Sequence, residues 1–419
     1  MSSRPAGEIT CEGRVCCIDK AGQSGNCRFT TLVEQGTKPM SMLFSDEQVM
    51  IRDMARDFAN NELAPNSAQW DRDATLPIDV LHQMGVLGLM GMTIPEEWGG
   101  AETDYVSYAL ALMEIARGDG AVSTIMSVTN SPTASCMLNA GTEQQKKEVL
   151  KPVARGEIMA AFCLTEAGAG SDASNLKTRA VKTDGGWVIN GSKMFISNGQ
   201  IAETAVIFAV TDPDAGKKGI TAFLVPTETN GYSVANVEHK LGQRASDTCS
   251  LNFDDMVATD DMVLGEIGGG YKLALSNLEI GRIGIAAQSV GMARAALDVA
   301  VEYANERVTF GKPIIKHQAV GFRLADMEAE LEAARLMVLN AASLRDQGIP
   351  CLKEAAMAKL FASEAAETIC SAAIQTLGGY GYLNDFPVER IYRDVRVCQI
   401  YEGTSDIQRM IIARELMEK

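Results

Sequence analysis

The sequence IYEGTSDIQR, at residues 400–409, places one carboxylate, Glu402, directly before a tight Gly-Thr-Ser turn. Beside its apolar neighbours Ile400 and Tyr401, this carboxyl group would resist ionisation, which would raise its pKa towards neutrality. A glutamate with a raised pKa suits a general base that works at about pH 7. A carboxylate that only stabilises the start of a helix would give the same local pattern. The stretch therefore predicts either a catalytic base or a structural carboxylate.

The composition indicates a globular protein with more than one domain. The chain has 419 residues, which exceeds the usual size of a single core, so we expect two or three packed domains. Hydrophobic residues make up 46% and charged residues 22%, and the net charge is −16. This negative charge argues against nonspecific binding to nucleic acid. No apolar run approaches the length of a membrane span.

The cysteines and histidines argue against disulfide and metal sites. The ten cysteines are scattered without pair spacing, which indicates a reducing compartment rather than a disulfide framework. The three histidines, His82, His239 and His317, lie far apart in the sequence, so no metal site is expected.

Residues 1–41 have a different composition from the rest of the chain. They hold four cysteines, many small polar residues and little apolar periodicity, so they are predicted to be a disordered tail or an N-terminal extension. Their acidic residues argue against a mitochondrial transit peptide. We therefore favour a cytoplasmic protein, as in a bacterium, over one of the mitochondrial matrix.

Hydrophobic periodicity divides the remaining chain into three parts. Residues 42–160 are predicted to form an N-terminal α-helical domain, residues 161–270 a middle β-domain and residues 271–419 a C-terminal α-helical bundle. The order of helices, sheet and helices lacks the strand–helix alternation of a Rossmann fold. The fold class is therefore α+β with several domains. Within the middle part, Asn190-Gly191 predicts a hairpin turn.

Three shorter features have two interpretations each. The segment 123–137 is less polar than a solvent-facing helix, and we interpret it as core rather than as a pocket wall. The helix that closes the chain could be capped by Ser405 or by Asp406. The loop LTEAGAGSD, at residues 164–172, lacks the Rossmann glycine spacing and the P-loop lysine. It is either a plain turn or a place where a planar or phosphorylated ligand approaches the backbone.

Several of these motifs, in chain order, resemble the acyl-CoA dehydrogenase family over residues 43–419. YEGTS followed by IQR resembles the catalytic segment of that family. LTEAGAGSD resembles its flavin loop, with Ala167 where proline is usual. KMFISNG resembles the strand segment beside the flavin, with Phe195 and Ser197 where the family often has tryptophan and threonine. The phenylalanine keeps a stacking surface, and the serine keeps a hydroxyl group.

Two further segments resemble those that contact the FAD of a neighbouring subunit. ERVTFGKP, at residues 306–313, contains Arg307, whose forked and permanently charged donors suit a diphosphate. QTLGGYGY, at residues 375–382, resembles the family's Gly-Gly loop. Without the resemblance, Arg307 would be interpreted as a surface charge, and Gly378 or Gly379 as a helix C-cap.

The resemblance implies a set of site residues. Glu402 is the implied base, since Gly281 stands before Arg282, where other branches of the family carry the catalytic glutamate. The residues implied to bind FAD are Phe162, Cys163, Leu164, Thr165, Gly170, Ser171, Phe195, Ile196, Ser197, Arg307, Thr309, Phe310, His317, Gln318, Gln375, Leu377, Gly378, Gly379, Thr404, Ser405 and Asp406. The residues implied to bind the substrate are Ser171, Glu279, Ile280, Gly281, Arg282 and Gly403.

The resemblance also implies a reaction and its partners. Glu402 would remove the α-proton of a short-chain or 2-methyl-branched acyl-CoA while the β-hydrogen leaves as hydride to flavin N5, which gives the trans-2-enoyl-CoA. The enzyme would be a homotetramer that passes electrons to an electron-transferring flavoprotein, in fatty-acid or branched amino-acid degradation. Two alternatives stay open: an acyl-CoA oxidase on the same fold, and a flavin-binding scaffold without turnover.

Overall fold

The described part of the chain begins with helices that the sequence marks clearly. The computed structural model describes residues 44–75 and 78–417, so the predicted tail at 1–41 lies outside it. Helix α1 spans Asp46–Phe58, and the side chain of Ser45 caps it in a reciprocal capping box with Gln48. The helices that follow in this part are α2 (Ser67–Asp73), α3 (Ile78–Val86), α4 (Tyr105–Gly118), α5 (Gly120–Val128), α6 (Ser135–Ala140), α7 (Glu143–Gln145) and α8 (Lys151–Ala154).

The middle part of the chain forms one mixed sheet. Its strands are β1 (Ala160–Cys163), β2 (Arg179–Thr183), β3 (Gly186–Ser197), β4 (Thr204–Val210), β5 (Ile220–Pro226), β6 (Tyr232–Val237), β7 (Thr248–Ala258) and β8 (Val263–Leu264). The strand order is β6-β7-β3-β2-β4-β5-β8, and β1 pairs in parallel with β4. Alternate residues of β4 face opposite sides: Val206 and Phe208 join the helices on one side, and Ile207 joins the core on the other. Both faces of this strand are therefore covered, as its continuous apolar sequence requires.

The predicted hairpin turn at Asn190-Gly191 was wrong. Strand β3 runs straight through both residues, and the chain reverses between β2 and β3 instead, after Thr183. The register against β7 shifts between Ile189 and Gly191, where Asp254 and Asp255 of β7 lie opposite Asn190, so the β-bulge is in β7. The Asn190 side chain donates to Asp255 on β7, a contact that local sequence could not reveal.

The C-terminal part returns to long helices. These are α9 (Gly270–Glu306), α10 (Gln318–Asp346), α11 (Leu352–Leu377), α12 (Val388–Val395) and α13 (Ser405–Met417), with a small ribbon of β9 (Val308–Thr309) and β10 (Lys312–Pro313) between α9 and α10. Helix α11 ends at Gly378, whose positive φ of 63° favours glycine as the cap. The helix–sheet–helix fold class predicted from periodicity is confirmed.

The N-terminal and C-terminal helices pack on each other closely enough to build a site between them. A Cβ atom at Gly291 of α9 would lie 2.1 Å from the Met113 carbonyl oxygen of α4, so glycine is required for this approach. Helix α9 also contacts α5, α10 and α11. Within the described residues, none of the helices combines the length and hydropathy needed to cross a bilayer.

Candidate active site

Glu402 lies on a strained turn that leads into α13. Its φ is 54° and that of Gly403 is 89°, a left-handed pair that is costly for the glutamate. The Oε2 atom of Glu402 is buried and has no hydrogen-bond partner within residues 44–75 and 78–417. Burial raises the pKa of Glu402 to about 7, although the charges of Arg282 and Lys359 act to lower it. The direction of this shift is the one that the sequence predicts.

The cause of the burial differs in part from the one inferred from sequence, which was the apolar character of both Ile400 and Tyr401. Ile400 is 52% exposed, so it does not shield the carboxylate. The carboxylate instead lies against α9, where a Cβ atom at Gly281 would come within 2.5 Å of Oε2. The place that the Glu402 side chain occupies therefore exists because position 281 has no side chain.

The segment that carries Glu402 is held by a buried polar network. The Tyr401 hydroxyl donates to Oε1 of Gln288 on α9. The Gln288 amide in turn donates to Thr124 Oγ1 at 2.6 Å and to Ser123 Oγ at 2.8 Å, both on α5. Gln288, Ser123 and Thr124 are almost fully buried. Because buried polar groups are costly unless they are paired, this network fixes Tyr401, the residue next to Glu402.

The cap of the closing helix is Thr404 rather than Ser405 or Asp406. The Ile407 N–H donates to Thr404 Oγ1 at 3.3 Å. Helix α13 starts at Ser405, so Ser405 and Asp406 are already in its first turn, and the Asp406 side chain is exposed. The prediction placed the helix start too far along the chain.

A cavity of about 220 Å³ opens beside the Glu402 carboxylate, and we call it the base cavity. Many of the residues implied by sequence line it: Phe162, Leu164, Thr165, Gly170, Ser171, Phe195, Ile196, Ser197, Arg282, Glu402 and Gly403. Arg282 is buried, and its Nε atom has no partner among the described residues. A loop, a strand and α9 thus converge on one carboxylate.

A buried ion pair fixes the glycine-rich loop against β3. Lys193 Nζ lies 2.8 Å from Glu166 Oε1 and also donates to the Leu164 carbonyl at 3.0 Å. The Glu166 carboxylate further accepts the backbone N–H groups of Lys177 and Thr178. Burial alone would raise the pKa of Glu166, but the Lys193 charge and these donors hold it below its usual value. The loop is therefore positioned by a paired and hydrogen-bonded charge.

A bulge in β3 turns Phe195 out of the sheet. The register of β3 against β7 shifts between Lys193 and Ile196, and Phe195 has a φ of 61°. As a result the Phe195 ring is 58% exposed and lines the base cavity, while Ile196 is buried. Bulges commonly re-aim a side chain in this way near a functional site.

A second cavity, of about 530 Å³, lies at the ends of α9 and α11 and shares no lining residue with the base cavity. Four of the implied FAD residues line this second cavity: Arg307, Thr309, Leu377 and Gly379. The Arg307 guanidinium lies 5.9 Å from the centre of the Tyr380 ring. The residues implied to bind FAD therefore fall into two separate groups within one chain.

The remaining implied residues line neither cavity. These are Cys163, Glu279, Ile280, Gly281, Phe310, His317, Gln318, Gln375, Gly378, Thr404, Ser405 and Asp406. The Glu279 carboxylate lies 3.4 Å from Arg345 of α10, and Cys163 belongs to the core of the sheet. Phe310 is 95% exposed and forms an edge contact with the His317 ring.

The sequence interpretation missed the wall of the base cavity formed by α5 and the turn after it. Thr124, Ser127, Val128 and Pro132 all line the cavity. They lie in segment 123–137, which the interpretation assigned to the core. The signal was its unusual content of hydroxyl side chains in an apolar setting, since buried hydroxyl groups need partners. In the described residues no group of His, Cys, Asp and Glu side chains could hold a metal ion.

The fold and the site define a helix–sheet–helix protein in which the desolvated Glu402 carboxylate lines one cavity with a glycine-rich loop and a strand. Its three parts match the N-terminal, middle and C-terminal domain models of acyl-CoA dehydrogenase over residues 45–157, 161–256 and 268–417. An acyl-CoA dehydrogenase of Bacillus subtilis is 47% identical over 376 residues, which cover 90% of this chain and 99% of that protein.

A mitochondrial short-chain specific acyl-CoA dehydrogenase of Homo sapiens is 48% identical, over 88% of this chain and 89% of that protein. The solved butyryl-CoA dehydrogenase of Megasphaera elsdenii has a TM-score of 0.88 and 40% identity, and the match covers 90% of this chain and 100% of that one. A chain solved in a study of the electron transferring flavoprotein of Acidaminococcus fermentans has a TM-score of 0.89 and 41% identity. The match covers 91% of this chain and 100% of that one. The protein belongs to the acyl-CoA dehydrogenase family and is an enzyme of that class.

The role of Gly281 can be tested directly. In Gly281→Ala the new methyl group would lie 2.5 Å from Glu402 Oε2, so the carboxylate must move away from its present position. We expect acyl-CoA oxidation to fall by about tenfold or more, because a displaced carboxylate would lose the alignment with the substrate that the implied role of Glu402 requires. Steady-state rates and thermal unfolding of purified Gly281→Ala and wild-type protein check this. Unchanged rates would show that the carboxylate does not depend on the missing side chain.

Proposed function

We propose that the protein oxidises short-chain acyl-CoA thioesters to trans-2-enoyl-CoA, with Glu402 as the general base and FAD as the cofactor. The observation that carries the proposal is the buried Glu402 carboxylate, whose pKa is raised to about 7 beside a cavity that the flavin-loop residues line. A base with this pKa is ionised in a substantial fraction of molecules at neutral pH and still binds a proton strongly.

The residues of the base cavity fit a flavin. No atom lies within 4 Å of a Cβ built at Gly168 or Gly170, so the loop backbone is open to a planar ring. Phe195 offers an exposed aromatic face, and Ser197 offers a hydroxyl group at the cavity wall. FAD held by these residues would supply the acceptor for the two electrons and the β-hydrogen of the substrate.

The chain itself would perform the proton transfer and stabilise the charge that develops. The Glu402 carboxylate would take the α-proton of the thioester, and the raised pKa limits the energetic cost of that step. The backbone N–H of Glu402 makes no hydrogen bond to any described residue, so it can donate to the thioester oxygen. Such a fixed donor stabilises the enolate more than the neutral substrate. The strained φ of Glu402 is consistent with this arrangement, because it turns the N–H and the side chain of one residue to adjacent places.

The polar wall of the base cavity favours a short acyl chain. Thr124 and Ser127 place hydroxyl groups on the wall, and Thr124 belongs to the rigid network around Gln288. A long apolar chain would have to displace this paired polar network, which is costly.

We further propose an electron-transferring flavoprotein as the redox partner and a homotetramer as the assembled state. The first follows from likeness to the chain solved in the flavoprotein study. The second is supported by the separation of the implied FAD residues into two cavities, since a neighbouring subunit would bring the second group to the first. The reducing compartment expected from the cysteines would be the cytoplasm of a bacterial cell; all six cysteines in the described residues are free and buried.

The role of the base is tested with Glu402→Gln. Glutamine has nearly the same volume but cannot take up the α-proton, so butyryl-CoA should bleach the flavin at least ~10²-fold more slowly under anaerobic conditions. In the wild type the bleaching rate should rise with pH through about 7, because the carboxylate form is the active one. Near-normal bleaching by Glu402→Gln, with FAD still bound, would contradict the assignment. Fast reoxidation of the reduced wild type in air would indicate an oxidase instead.

The role of the second cavity is tested with Arg307→Ala. Arg307 is exposed, makes no ion pair with a described residue and lies over the Tyr380 ring, so its charge is available to a diphosphate. The variant should lose FAD and tetramer together, as measured by absorbance and sedimentation. Arg179→Ala, which removes another exposed arginine from strand β2, is the matched control and should keep both. A flavin-loaded monomer in the wild type would contradict the proposal.

The substrate range is tested with a panel of acyl-CoA thioesters. We expect kcat/KM to peak at about four to six acyl carbons and to fall for longer chains, because the paired wall of the base cavity cannot retreat at low cost. The panel should run from butyryl-CoA to palmitoyl-CoA and include isobutyryl-CoA and 2-methylbutyryl-CoA. A maximum at about twelve carbons or more would show that the cavity opens further than its walls suggest.

A further inference from the structure

Lys359 on α11 is a fully buried cation with no ion-pair partner among the described residues. Its side chain has 0% exposure, and its hydrogen bond runs from Nζ to the Gly403 carbonyl at 2.7 Å. Burying an unpaired ammonium group is among the most costly things that a fold can do. Burial lowers the pKa of Lys359 to about 8, so the group is still mainly charged at neutral pH. Packing alone does not explain why this charged group is buried.

The hydrogen bond from Lys359 to the Gly403 carbonyl does not explain the burial of Lys359 either. The Gly403 carbonyl already accepts from Gln408 Nε2 at 2.9 Å, and the same amide lies 3.2 Å from the Glu402 carbonyl. Gln408 is also fully buried, so a neutral donor holds the turn from the other side. Removing Lys359 would therefore leave the carbonyl paired. What Lys359 adds to the Glu402–Gly403 turn is mainly charge.

We propose that Lys359 is a positioning residue for the base: its ammonium group holds the Glu402–Gly403 turn and supplies the positive charge that favours the carboxylate form of Glu402. This inference rests on the proposed role of Glu402 as the general base. Lys359 does not touch the substrate in this arrangement, and it acts through the turn and through its electric field.

Among the titratable groups that surround Glu402, only two of the four described below carry a positive charge that favours its carboxylate form. Four titratable side chains from four helices act on Glu402: Arg282 from α9, Lys359 from α11, Tyr108 from α4 and Cys136 from α6. Burial raises the pKa of both Tyr108 and Cys136, so these two are neutral at working pH. Arg282 and Lys359 are therefore the charges that oppose the desolvation of Glu402.

The two cations are not equivalent. Arg282 is also within the electrostatic reach of Glu279 and Arg414, while the charges and thiol that act on Lys359 are those of Cys398, Glu402, Arg282 and Glu364. Burial raises the pKa of Cys398, so its thiol is neutral. Lys359 is also the cation that is hydrogen-bonded to the turn that carries the base. A change in Lys359 is therefore transmitted to Glu402 through both geometry and charge.

The test compares Lys359→Met with Gln408→Met in the flavin-loaded enzyme. Both variants remove one donor to the Gly403 carbonyl, but only the first removes a charge. For Lys359→Met we expect the acid limb of the pH profile of kcat/KM for butyryl-CoA to move about one pH unit higher, because the carboxylate form is no longer favoured. Activity should be about tenfold lower below the limb and should recover well above it. For Gln408→Met we expect lower activity at every pH and an unmoved limb.

The possible outcomes distinguish a failure of this inference from a failure of the proposal that Glu402 is the general base. An acid limb of Lys359→Met that coincides with that of the wild type would overturn the role of Lys359, whatever the loss of rate. If Lys359→Met does not fold, Lys359→Gln replaces it, because glutamine keeps a donor without the charge. The acid limb of Lys359→Gln should move by the same amount. An unmoved acid limb in this variant would also overturn the role of Lys359. Normal bleaching by Glu402→Gln would instead remove the proposed base and would not depend on Lys359.

Discussion

A carboxylate that is to accept a proton at neutral pH must be taken out of water without being neutralised by a close ion pair. Glu402 meets both conditions, because its Oε2 atom is buried without a hydrogen-bond partner and no cation lies within ion-pair distance among the described residues. Closer pairing would lower its pKa and weaken it as a base, and an environment without charge would leave it protonated. The balance between desolvation and two more distant positive charges sets its properties.

All three parts of the chain contribute to holding that carboxylate in place. Thr124 of α5 receives hydrogen bonds from Gln288 of α9 and donates to Gln243, which lies in the loop between β6 and β7. The Gln243 backbone N–H in turn donates to the buried Asp394 of α12. This chain of buried polar contacts ends at Tyr401, beside the base. Because each contact is between different elements, the geometry of the site depends on the docking of the sheet as well as on the helices.

Much of the fold could be predicted from the sequence, because periodicity and turn residues report on local structure. The helical C-terminal part, with its long helices α9 to α11, was of this kind. The failures were tertiary: Asn190-Gly191 has the composition of a turn but lies within β3, because β7 pairs alongside it. The burial of Glu402 was foreseen, but its cause was not. Ile400, one of the two residues expected to shield it, is 52% exposed, while Gly281, more than a hundred positions earlier, provides the space.

The bulge that turns Phe195 outward has a consequence for how the family can vary. The inward-facing side chain of a regular strand packs in the core, so a change in its size disturbs the packing. Phe195 does not pack in the core, because its ring lies 58% exposed at the cavity wall. Ile196, the next residue, is buried in the core. Position 195 can therefore accept side chains of different size and polarity with little loss of fold stability. It is a place where the lining of the base cavity can diverge among relatives while the sheet that supports it stays the same.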